Sequence, residues 1–179
     1  MQRRAWATRR INRDHSPVLA LAVPVLSILA ASVLTTVSVA TAAPLLPPFG
    51  FVLLTAWRLQ RPGLLAAWAG FPLGLFDDLV SGQPFGSAML LWSLAMIALE
   101  ALETRFPWRT FVQDWLIAGA LLLAYIAAAA LLSGASVGVP GLIALIPQTL
   151  LTIASYPLLA RLVAWLDRLR LSRVRRIGW

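Results

Sequence analysis

Every basic residue in this chain is an arginine, and all fifteen lie at the two ends or in alternate gaps between long apolar runs. Arg3, Arg4, Arg9, Arg10 and Arg13 precede the first run, and Arg58 and Arg61 follow the second. Arg105 and Arg109 follow the fourth, while Arg161, Arg168, Arg170, Arg173, Arg175 and Arg176 close the chain. The other gaps hold none. Short loops rich in Arg or Lys stay on the cytoplasmic side of a membrane, so six spans with both termini inside account for the pattern without exception. The pattern predicts an all-α, polytopic membrane helix bundle of about six transmembrane helices. It divides into a basic cytoplasmic arm (1–16), a transmembrane domain (17–166) and an arginine-rich cytoplasmic tail (167–179).

Composition agrees with a bilayer setting. The chain is 60% hydrophobic and 12% charged, about half the charged fraction of a soluble domain. Without cysteine there is no disulfide, no thiolate nucleophile and no Cys-based metal site. The single His15 lies in the N-terminal arm, so no histidine metal cluster is expected. The net charge of +8 comes from arginines that flank spans rather than from a DNA-reading motif. Anionic phospholipids are the expected counter-ions, for Arg168, Arg170, Arg173, Arg175 and Arg176 above all, and no nucleic acid is expected.

The first run, Pro17 to Thr41, is uncharged and long enough to cross, with Ser16 and Pro17 as a helix start. Its length argues against a cleaved signal peptide, despite Arg9-Arg10 and Ala40-Thr41-Ala42. The second and third runs, Leu45 to Leu59 and Gly63 to Phe76, are too short to cover a layer of roughly 30 Å. Pro44, Pro47, Pro48, Pro62 and Pro72 interrupt them further, so these helices must tilt, thin the membrane or pack inside the bundle. A re-entrant hairpin is disfavoured because it places Arg58 and Arg61 in hydrocarbon, at about 2.5–3.5 kcal/mol each. Pro84 to Leu102, Phe111 to Leu132 and Gly141 to about Ala160 complete the set. Trp57, Trp108, Trp115 and Trp165 fall near the inner boundary and are expected as interfacial anchors.

The most informative polar segment runs from Gly74 to Gly86. Asp77 and Asp78 end the third run, Gly82 and Gly86 stand four apart, and Pro84 opens the fourth. The acids either bind a partner or cation or simply face water; adjacent aspartates on a helix point about 100° apart and make a poor general acid–base pair. Gly70 and Gly74 have the GxxxG spacing that brings another helix close, with Pro72 between them favouring a kink. Glu100 and Glu103 share a helical face beside Arg105 and Arg109, an arrangement that suits a local ion-pair group. Asp114 stands in the first turn of the fifth helix, and Tyr125 and Gln148 are candidates for internal hydrogen bonds. No Walker A loop, HExxH or GxSxG is present, and no enzyme activity, cofactor or metal is expected.

A six-span chain of this length with a central GL-x-x-D-x-x-x-G-x-x-x-G block, here Gly74, Leu75, Asp78, Gly82 and Gly86 followed by Ser87, Ala88 and Met89, resembles the bacterial rod shape-determining protein MreD family. Arg105, Phe106, Trp108 and Asp114 lie in a stretch similar to the family's next loop and span. The resemblance implies a non-enzymatic inner-membrane scaffold of the cell-elongation machinery, or elongasome. It would help to organise peptidoglycan synthesis beside MreC-like, MreB-like, RodA-like and class B penicillin-binding proteins. Gly74, Asp77, Asp78, Gly82 and Gly86 are then its partner-binding or structural motif. The family's fold is also similar to the vitamin-binding membrane subunits of energy-coupling-factor transporters, so a small-molecule-binding transporter subunit is the competing reading. That reading predicts an enclosed polar pocket near the second and third spans.

Overall fold

A computed structural model describes residues 17–39, 46–106, 108–134 and 139–171. The described residues form six α-helices and one 3-10 turn: α1 (Pro17–Val39), α2 (Phe49–Gln60), the 3-10 turn (Ala67–Ala69), α3 (Gly70–Ser81), α4 (Ser87–Arg105), α5 (Phe111–Leu132) and α6 (Val139–Leu171). Within α4, α5 and α6 lie three segments, Ser87–Arg105, Phe111–Leu132 and Leu145–Arg170, each long and apolar enough to cross a membrane. His15, the N-terminal arginines and Arg173, Arg175 and Arg176 lie outside the described residues.

The helices are arranged around α2. Successive contacts α1–α3, α3–α4, α4–α5, α5–α6 and α6–α1 close a ring, and α2 packs against α1, α4, α5 and α6 within it. The sequence of α2 explains its place. A helix that is apolar on every side has no face to give to water, and every residue from Gly50 to Leu59 is buried. Phe51, Leu54 and Trp57 meet Ile28, Trp92, Met96, Leu99, Leu122 and Val163 in a single core. Trp57 therefore differs from its sequence assignment. It is fully buried and its indole N–H donates to the Ser27 hydroxyl at 2.9 Å, whereas Trp108, Trp115 and Trp165 are partly or largely exposed.

The short elements begin and end later than the apolar runs suggest. Residues 61–66 form a turn with Gly63 at φ 78°, so the third helix starts at Gly70 and carries Asp77 and Asp78 inside its last two turns. Pro72 sits in the first turn of α3, where a missing N–H breaks no helical bond, rather than at a kink. The sixth helix continues through Pro147 and Pro157 without interruption to Leu171. Thr152 returns its hydroxyl to the Gln148 carbonyl and Ser155 to that of Thr152. Gln148 Nε2 reaches the Leu46 carbonyl at 3.1 Å and ties α6 to the segment before α2.

Candidate functional site

The motif residues meet in the α3–α4 hairpin, and each glycine and acid has a distinct mechanical task. Gly70 and Gly74 lie along the α3 face that touches α4. A Cβ on Gly74 would stand 2.6 Å from the Ala88 carbonyl oxygen, and one on Gly70 2.7 Å from that of Trp92, so the two backbones approach as only glycine permits. Gly82 ends α3 at φ 68° and Gly86 caps α4 at φ 93°, left-handed conformations that other residues adopt at a cost. Two such reversals within five residues turn the chain back on itself.

Asp78 then fills the start of α4. Its carboxylate accepts the backbone N–H of Gly86 at 3.0 Å, of Ala88 at 2.8 Å and of Met89 at 3.0 Å, and the Ser87 hydroxyl at 3.3 Å. The first N–H groups of a helix have no partner inside it and carry the positive end of the macrodipole. A carboxylate from the preceding helix satisfies both needs. Asp78 is 4% exposed, so these four bonds replace its hydration.

Asp77, one position earlier, is turned toward the bundle interior and is 7% exposed. Ser32 of α1 lies beside it, within hydrogen-bonding reach, and Tyr125 of α5 lies within its electrostatic reach. Tyr125 stacks on Phe51 at a centroid separation of 4.2 Å, and Phe51 meets Trp92 at 5.9 Å. The two acids are therefore both buried and separated by function: Asp78 completes a helix, and Asp77 enters a polar core. Sequence pattern pointed to neither burial nor to Ser32 and Trp92 as neighbours. The hydroxyl residues scattered through the first span, Ser27, Ser32 and Ser38 among them, were the available signal.

The opposite, arginine-bearing end is joined by ion pairs. Arg58, 3% exposed in the last turn of α2, bonds Glu103 of α4 at 2.9 Å and donates to the Leu65 carbonyl. Arg61 pairs with the buried Asp167 of α6, which also meets Arg170 at 2.8 Å. Gln60 donates to the Ala160 carbonyl at 2.9 Å. Arg109 bonds Asp114 at 3.0 Å, and Thr110 and Gln113 form a capping box at the head of α5. Glu103 thus pairs across helices with Arg58 rather than with its neighbours in sequence, while Glu100 and Arg105 are exposed.

Two open apolar grooves of about 270 and 290 Å³ run between α5 and α6. Trp115, Gly119 and Ile153 line the first, and Ala127, Leu145 and Thr149 the second, with Leu123 shared. Among the described residues there is no cluster of His, Cys, Asp or Glu arranged to hold a metal ion. The space between α2 and α4 is occupied by Phe51, Trp92 and Met96.

This architecture defines an all-helical bundle with apolar helices of membrane-spanning length, in which Asp78, Arg58 and Asp167 join one helix to another. More specifically, the family model for the rod shape-determining protein MreD matches residues 15–167, and the chain belongs to that family. Its role accordingly lies in rod-shape determination. No curated protein and no solved structure matches it.

Proposed function

We propose that the protein is a non-enzymatic scaffold of the bacterial inner membrane, holding partner proteins of the cell-elongation machinery so that peptidoglycan synthesis is placed along the rod. The observation that carries this reading is the commitment of the motif itself. Asp78, Gly74, Gly82 and Gly86 are used to build a rigid hairpin, leaving an apolar exterior for neighbouring spans. Exposed Leu116, Leu123, Ile146 and Leu150 on α5 and α6, beside the two grooves, suit contact with lipid or another transmembrane helix. Partners of the MreC, MreB, RodA and class B penicillin-binding type follow from the family.

In this reading all six helices cross, with both termini in the cytoplasm. The basic arm 1–16 and the tail 167–179 then flank a 17–166 membrane domain. The short α2 is tolerated because other helices, not lipid, surround it. Arg168 and the exposed Arg161 and Trp165 of α6 face the inner headgroups, where arginine and tryptophan are both favoured. Depleting the protein from rod-shaped cells should round them, and affinity purification in mild detergent should recover an MreC-like partner. Unaltered morphology together with a partner-free preparation refutes the scaffold. Cysteine labelling that finds residues near Arg61 and near Gly82 on one side of the membrane refutes the topology.

A further inference from the structure

Among the described residues, the buried polar atoms of the arginine-free half without a hydrogen-bond partner include Trp92 Nε1, Tyr125 Oη and Gln83 Oε1. Trp92 is fully buried and Tyr125 is 4% exposed. Trp92 and Gln83 both reach toward the Tyr125 hydroxyl, and Asp77 faces the same group, but none of the three closes a well-formed bond to it. Four elements converge there: α3 through Asp77, the α3–α4 turn through Gln83, α4 through Trp92 and α5 through Tyr125. Ser32 of α1 lies beside Asp77.

The chemistry of these groups selects what they hold. The Trp92 indole can only donate, so the ligand must offer a lone pair, which excludes a metal ion or an ammonium group at that atom. The Gln83 carbonyl can only accept, as can an ionised Asp77, so the ligand must also offer hydrogens. The tyrosine hydroxyl does either. Phe51, 1% exposed, packs against both rings. A ligand that accepts from an indole, donates to two oxygens and fits between packed aromatic rings is water, which in protein interiors makes about three such bonds.

We propose that Trp92, Tyr125, Gln83 and Asp77 form an internal water-binding site that bridges α5 to the α3–α4 hairpin. Gln83, half-buried at the mouth of the turn, is the route by which water exchanges with the arginine-free surface. Through this site α5 rests on the hairpin by way of a small exchangeable ligand rather than by direct side-chain bonds.

Radiolytic hydroxyl-radical footprinting in ¹⁸O-labelled water, read by mass spectrometry on the full chain in nanodiscs, tests this with an internal control. Trp57 is as deeply buried as Trp92, but its indole is already bonded to Ser27. Bound water generates radicals in place, so Trp92 should be modified about tenfold faster than Trp57, with ¹⁸O also incorporated at Tyr125. Equal, slow modification of both tryptophans overturns the proposal. In the Tyr125→Phe variant the water loses one partner, and Trp92 labelling should fall at least about threefold while Trp57 is unchanged. Undiminished Trp92 labelling in that variant removes Tyr125 from the site and overturns the bridge to α5. A high-resolution map should place density about 3 Å from both Trp92 Nε1 and Tyr125 Oη. A direct indole–hydroxyl bond in that map overturns the proposal as well.

Discussion

The two ends of the bundle are fastened by different means. At the arginine-free end a single carboxylate, Asp78, binds backbone groups eight to eleven residues ahead of it, all within one hairpin. At the other end Arg58 reaches Glu103 and Arg61 reaches Asp167, ties between elements far apart in sequence. The first fastening depends on main-chain geometry and can form as soon as α3 and α4 exist. The second depends on the whole bundle being assembled. Helix capping by a buried carboxylate is insensitive to salt, and the buried Arg58–Glu103 pair nearly so, whereas the bond from the half-exposed Arg61 weakens as salt rises.

Substitutions can break this contrast in order of severity. The largest effect is expected from Asp78→Ala, which leaves three helix-start N–H groups unpaired at about 1–3 kcal/mol each. It should abolish accumulation of folded protein, read by fluorescence-detected size exclusion, while Asp78→Asn retains part of the capping and part of the signal. Gly74→Leu comes next. Its side chain must displace the α4 backbone, an overpacking cost of about 1–3 kcal/mol that should lower the melting temperature in detergent. Arg58→Ala strands the largely buried Glu103, which keeps some access to water, and should cost about 1–2 kcal/mol. The double variant Arg58→Ala/Glu103→Ala should be more stable than the single one, and equal stabilities would refute the coupling. Smallest is Arg61→Ala, expected below about 1 kcal/mol and vanishing in high salt, because Arg61 is half exposed and Asp167 keeps Arg170.

The fifth helix, Phe111–Leu132, could be read directly from the sequence because polar residues bound its apolar run on both sides. The hairpin was legible as a motif but not as a mechanism. Gly82 and Gly86 signalled a turn, whereas nothing in the order of residues revealed that Asp78 would look forward to Ala88 and Met89. Trp57 illustrates the deeper difficulty. A tryptophan one residue before an arginine has the signature of a membrane anchor, but α2 is enclosed on all sides, and hydropathy does not distinguish lipid from protein as the apolar neighbour. The pairing of Arg58 with Glu103 was hidden for a related reason. Charges close in sequence, such as Glu103 and Arg105, look like partners until the fold brings a nearer one.

The enclosure of α2 also constrains biogenesis. Three of the four helices against which it packs, α4, α5 and α6, are synthesised after it, and its own twelve residues are too few to settle stably in lipid alone. With all six helices crossing, as proposed, the newly made segment would be held at the insertion machinery, or lie only shallowly in the bilayer, until the later helices arrive to cover it. Maturation of this protein is in that sense a closing step, taken late, in which an early segment is enclosed by its successors.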